Sequence, residues 1–196
     1  NLAHLPVDLM SFSAHKIYGP KGVGALYVSK HTKLLPHVYG GSQERKRRAG
    51  TENVGAIAGF AKAVEIILPL QERNYTQASE LREHMISILE QQLGCERFII
   101  NGNKENSIPH ILNISFPGIS TETLLMNLDL DGVAAASGSA CTSGSLEVSH
   151  VLKAMKLPEN VTNSAVRFSF GMGNSKEQIE TAAHKVATII HRLRNK

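Results

Sequence analysis

Two short runs rich in strand-forming residues, VDLMSFS (7–13) and VGALYV (23–28), flank the turn-forming YGPKG, and long stretches of helical apolar spacing follow them. That order constrains the fold more than any other feature. Short apolar runs of strand formers give way to helical spacing, so the chain reads as strands followed by helices. From Glu52 to about Leu68, small and apolar residues recur at helical spacing, and Pro69 interrupts the pattern. A second helix is predicted over residues 75–93, with Leu81, Met85, Ile88 and Leu89 on its apolar face and Gly94 as its stop. Strand candidates RFII, HILNISF, GVAAA and AVRFSF then alternate with helices near residues 121–128, 146–155 and 175–194. The last helix opens on an S-x-x-Q capping pattern, Ser175 and Gln178, and carries Ile179, Ala183, Val186, Ile189 and Ile190. The alternation reads as an α/β chain with a boundary around Pro69.

At 196 residues and 42% hydrophobic content the chain can close a sizeable core. No apolar stretch reaches the roughly 18 residues that span a bilayer, and NLAHLPVDLM lacks the order of a secretory signal, so no membrane is expected. The chain starts at Asn1 and runs almost at once into a strand, which reads as a polypeptide cut from something longer. The formal charge of +4 is concentrated in Arg45–Arg48 and at Arg192, Arg194 and Lys196. Aromatic residues are 5% and none lies in or next to the RKRR run, which therefore reads as a solvated loop with no direct nucleic-acid role. Two cysteines 46 positions apart and nine scattered histidines indicate neither a disulfide framework nor a metal site, and fit a reducing compartment.

SFSAHKIYGPKG (11–22) places Lys16 beside a glycine-rich turn. A nucleotide-binding loop fails on spacing, because neither a G-K-[ST] ending nor G-x-G-x-x-G is present. Two readings remain: a tight turn with a solvated lysine, or a lysine activated by partial burial and charged neighbours to form a Schiff base with an aldehyde cofactor. Pyridoxal 5'-phosphate carries its aldehyde and its phosphate arm on neighbouring ring carbons, so the amine and the phosphate donors must converge. Ser13, His15 and Lys16 bring two such donors and an amine into four residues. In ASGSACTSGSLE (136–147), Cys141 is surrounded by small residues rather than the apolar packing of a structural cysteine, as suits a nucleophilic thiol on a hydrated loop. Cys95, between Gly94 and Glu96, reads as incidental.

Taken with GGSQERKRRAGTENV and SAVRFSFG, these segments resemble the pyridoxal-phosphate-dependent cysteine desulfurases, in the group that feeds iron–sulfur cluster assembly and tRNA thiolation. Four motifs occur in family order across essentially all 196 residues. The resemblance implies the aspartate-aminotransferase-like α/β fold (PLP fold type I). Residues 1–68 would end the large cofactor domain, with a mainly parallel sheet, and 69–196 would form the small domain carrying the cysteine loop. It implies that Lys16 holds pyridoxal 5'-phosphate in imine linkage and then shuttles protons, and that Ser13 and His15 bind the phosphate. Thr51 would reach the phosphate of the other subunit across a homodimer interface. Cys141 would take sulfur from L-cysteine, leaving alanine and a persulfide, and Arg167 would anchor the substrate carboxylate. Small residues around Cys141 would give the tether that carries sulfur to an acceptor protein, a cluster scaffold or a tRNA-thiolating enzyme.

Ser42 stands where the family has the third glycine of GGG, and Val148 where it has the proline of L-E-P-S. The R-x-G-H-H-C-A segment of a related group is absent. The ring-stacking histidine, the aspartate at the pyridine nitrogen and the glutamine at the phenolic oxygen belong to a first half outside this chain. Activity is therefore expected to require a complementary N-terminal half. The alternative is a noncatalytic module that docks sulfur acceptors or dimerises. The expected location is the cytoplasm, or the mitochondrial matrix for a eukaryotic source.

Overall fold

The computed structural model describes residues 4–103, 106–138 and 148–195. The chain divides into two compact units, Asn1–Gln71 and Glu72–Lys196.

In the first unit, β1 (Leu9–Ser13) pairs antiparallel with β2 (Gly24–Val28), Ser13 opposite Gly24 and Leu9 opposite Val28. The short return through the YGPKG turn makes neighbouring strands antiparallel, so the expected parallel order is not formed by the strands described here. A single turn, α1 (Gln43–Lys46), follows and then the amphipathic α2 (Val54–Ile67), capped by the Asn53 side chain accepting from Ala56 N–H at 3.2 Å. The turn after β1 lies directly on α2. A Cβ on Gly59 would stand 2.6 Å from Pro20 Cγ, and one on Gly19 would stand 3.0 Å from Ala14 Cβ and 3.1 Å from Ala63 Cβ. Because the proline ring cannot swing aside, Gly59→Val is expected to destabilise the chain by about 1–3 kcal/mol, read as a fall in urea midpoint.

Pro69 interrupts the helix as expected, through a one-turn 3-10 segment, Leu68–Leu70. Helix resumes in α3 (Gln71–Leu93), four residues ahead of the predicted start, because the polar QERN carries no apolar periodicity to reveal it. The expectation that no apolar stretch is long enough to span a bilayer does not hold for these helices. Val54–Leu93 contains an 18-residue window of mean hydropathy 1.5, long and apolar enough to cross a membrane, and only 6% of that window is buried within the chain.

The second unit holds the core. β3 (Ile99–Ile100), β4 (Ile111–Ser115) and β5 (Ala165–Ser169) form an antiparallel sheet in the order β3-β4-β5, with Asn113 opposite Arg167. Leu112, Ile114, Val166 and Phe168 bury one face against α3, α4 (Thr121–Leu130) and α7 (Lys176–Arg194). Helices α3 and α7 run side by side in the same direction. Gln77 donates to the Asn174 carbonyl at 3.4 Å, His84 lies 3.9 Å from Glu180, and the His191 ring meets the Gln92 carbonyl at 3.0 Å. The capping box read from the sequence is formed: Ser175 accepts from Gln178 N–H, and the Gln178 side chain accepts from Ser175 N–H. In the same turn the Glu177 carboxyl is held below its ordinary pKa, first by its own backbone N–H and then by Ser175. Short helices α5 (His150–Ala154) and α6 (Glu159–Thr162) complete the unit.

GVAAA is not a strand. Val133 N–H turns back to the Leu128 carbonyl, and only Ala136 pairs with β5, in a two-way bridge to Arg167 at 2.6 and 3.1 Å.

Candidate active site

The Lys16 turn is built by backbone geometry. Ser13 ends β1, and Ala14–Ile17 form one 3-10 turn that Tyr18 closes in the left-handed region at φ 64°. Ala14 N–H donates to the Val23 carbonyl at 3.1 Å and Gly19 N–H to the Ala14 carbonyl at 2.9 Å, so both ends of the turn are tied. Ala14 is fully buried and acts as the foot, while His15 and Lys16 are exposed and Ser13 is half-buried. The partial burial expected for Lys16 is therefore not supplied by the described residues. Among the described residues, the Ser13 hydroxyl, the His15 ring and the Lys16 amine make no hydrogen bond or ion pair. A hydroxyl, an imidazole and an amine, all unspent and held by one tied turn, are the donor set that a phosphate-bearing aldehyde requires. Thr51, also in the first unit, is exposed two residues before the α2 cap, and its hydroxyl is likewise unspent.

Arg167 lies in the second unit. Since Val166 and Phe168 point into the core, Arg167 occupies the opposite face of β5, in register with Asn113. That face is polar: Asn101 donates to Asn113 Oδ1 and to Ser115 Oγ, both at 2.7 Å. Arg167 Nε is buried with no hydrogen-bond partner among the described residues. A buried donor left unpaired costs about 1–3 kcal/mol, and more on a charged group.

Cys141 lies outside the described residues. Of its flanks, Ser137, Val148 and Ser149 line one cleft of about 290 Å³ with Ser120, Thr121 and Asn163. The four basic residues Arg45–Arg48 are all exposed, and Glu44, Arg45 and Lys46 are left-handed, with φ of 49°, 57° and 63°. The sequence offers no sign of this, since such a turn usually draws glycine or asparagine. Among the described residues no group of histidine, cysteine and acidic side chains could hold a metal.

The Aminotransferase class-V family model matches residues 1–181. The chain belongs to the class-V aminotransferases. It is similar to a Bacillus subtilis protein, 50% identical over 190 residues, and to a Dictyoglomus turgidum protein named cysteine desulfurase IscS, 43% identical over 194. These alignments cover 95% and 99% of this chain and 49% of each relative. Among solved structures, one titled NifS-like protein superposes with a TM-score of 0.85 at 33% identity, over 98% of this chain and 48% of its own. A NifS-like protein from Rickettsia africae gives 0.84 at 30%, over 96% and 49%. The class-V chain thus spans about half the length of the curated relatives it matches.

Proposed function

We propose that this class-V chain is the C-terminal half of a pyridoxal-phosphate-dependent cysteine desulfurase, converting L-cysteine to L-alanine and passing the sulfur to an acceptor protein. The observation that carries this reading is the tied turn at Ser13, His15 and Lys16 with its donors unspent. The names of the relatives support the chemistry, and their length supports a missing half.

Residues 1–68 form the end of the large cofactor domain and 69–196 most of the small one. Bound pyridoxal 5'-phosphate supplies the electron sink that allows bonds at the substrate carbons to break. Ser13 and His15 hold its phosphate, as does Thr51 from the other subunit of a homodimer. Lys16 anchors the aldehyde carbon and moves protons at the substrate carbon. Arg167 takes the substrate carboxylate in a fork of parallel donors. The Cys141 thiolate forms an S–S bond to the substrate sulfur as the C–S bond breaks, and alanine leaves once its carbon is reprotonated. The acceptor is a cluster scaffold or a tRNA-thiolating enzyme, and the enzyme works in the cytoplasm.

In the first unit, Leu9, Phe12 and Leu26 on the hairpin and Val54, Ile57 and Leu68 on or beside α2 stand exposed, Val54 at 71%. An apolar surface of this kind marks an interface, here with the complementary half rather than with lipid. The test is to co-express this chain with the uncovered half of the Dictyoglomus turgidum relative, add pyridoxal 5'-phosphate, and measure alanine and sulfide released from L-cysteine. Release by the pair and none by the chain alone is expected. No release by a well-formed pair would refute the activity, and full turnover by the chain alone would refute the dependence. In the active pair, Arg167→Lys is expected to raise KM for L-cysteine about 10-fold or more with a smaller change in kcat, because one ammonium replaces a bidentate fork.

A further inference from the structure

One buried charge in the second unit has no counterpart. Arg82 on α3 is only 8% exposed, its Nε is buried without a hydrogen-bond partner, and among the described residues its guanidinium makes no ion pair. A cation desolvated in this way is costly until something supplies the missing acceptor. Arg82 lines a cleft of about 280 Å³ whose other walls are Glu83, Ile86, Ser87 and Glu90 of α3 and Ile100 of β3. The helix repeat orders these groups. Arg82, Ile86 and Glu90 follow one another a turn apart, and Glu83 and Ser87 form the adjoining row. Ile86 belongs to the core and Ile100 packs against it, so together they give the cleft an apolar wall. Glu83 and Glu90 are exposed, and among the described residues both carboxylates are uncommitted. Ser87 accepts from Gln91 at 3.4 Å and keeps its own O–H to donate.

The mixture of charges selects the ligand. A simple anion drawn to Arg82 would meet two exposed carboxylates, and a simple cation drawn to those would meet the buried guanidinium. A molecule that carries both charges on one carbon, with an apolar arm, satisfies every group. We propose that this cleft binds a free α-amino acid with an aliphatic side chain, its carboxylate on the Arg82 guanidinium, its ammonium facing Glu83 and its side chain against Ile86 and Ile100. Glu83 is the partner because it adjoins Arg82 on the helix, whereas Glu90 lies about 12 Å further along the axis, out of reach of two charges borne by one carbon. The cleft shares no residue with the Lys16 turn or with the polar face that holds Arg167, so this inference is independent of the desulfurase reading.

L-leucine is the probe, with two isosteres that each lack one charge: isocaproate, without the ammonium, and isoamylamine, without the carboxylate. Each is titrated into the full chain while the Arg82 Nε–H resonance and the methyl resonances of Ile86 and Ile100 are followed by NMR. L-leucine is expected to shift all three and to saturate with a Kd on the order of 1 mM, as befits so small a ligand. Each isostere is expected to bind about 10-fold or more weakly, because one charge-assisted pair is lost. Glu83→Gln is expected to weaken L-leucine by a similar factor, Glu90→Gln to leave its affinity unchanged, and Arg82→Met to remove the saturable methyl shifts. Should Arg82→Met fail to fold, the isosteres on the parent chain and the exposed Glu83→Gln still decide the matter. No saturable shift at about ten times that Kd would overturn the proposal. Isocaproate binding as tightly as L-leucine would reveal a plain carboxylate site and overturn it equally, as would an affinity that follows Glu90 instead of Glu83. Each of these results would leave the enzyme assignment standing.

Discussion

Lys16→Ala in the reconstituted enzyme is expected to lower the rate of alanine formation by about 10³-fold or more and to abolish the yellow absorbance of the bound cofactor. Two losses combine in the one substitution. Proton transfer by a positioned side chain contributes on the order of 10²–10⁴-fold, and the amine is also the covalent anchor. The turn itself should survive, because its conformation rests on Ala14, Gly19 and the backbone bond to Val23 rather than on the exposed Lys16 side chain. A circular dichroism spectrum matching the parent would confirm that chemistry and not folding was removed. Retention of both colour and activity in Lys16→Ala would take away the function proposed for the whole chain.

The second large effect separates the thiol from the cofactor. Cys141→Ala is expected to retain the absorbance and its response to L-cysteine while sulfide release falls by about 10³-fold or more, since the thiolate is the only sulfur acceptor in the proposed sequence. Cys95 serves as the control. It is a free, exposed cysteine just past the end of α3, its Sγ 3.8 Å from the Glu96 carboxylate, and Cys95→Ala is expected to leave both readouts unchanged. Sulfide release that follows Cys95 instead would reassign the nucleophile.

How far the sequence led differs between elements for physical reasons. The paired strands around YGPKG, the apolar faces of α2 and α3, and the capping box of α7 each depend on residues close together in the chain, where period and cap chemistry act directly. The GVAAA segment misled because small apolar residues permit a strand without demanding one; the turn-back of Val133 to Leu128 decided otherwise. The α2–α3 region misled in another way. Lys62 and Glu65 break the apolar run to the eye, yet they pair with each other at 2.9 Å on the surface, and the averaged hydropathy remains high.

Local sequence thus determined the β1–β2 hairpin, the apolar faces of α2 and α3 and the cap of α7, because each follows from neighbours within a few positions. It could not say that Arg167 Nε would be buried without a partner among the described residues, since that depends on β4, β5 and Ala136 meeting across long stretches of chain. Nor could it say that Lys16 would stand exposed on its tied turn. Burial and solvation are set by what packs from far away, and only the tertiary structure brings those surfaces together.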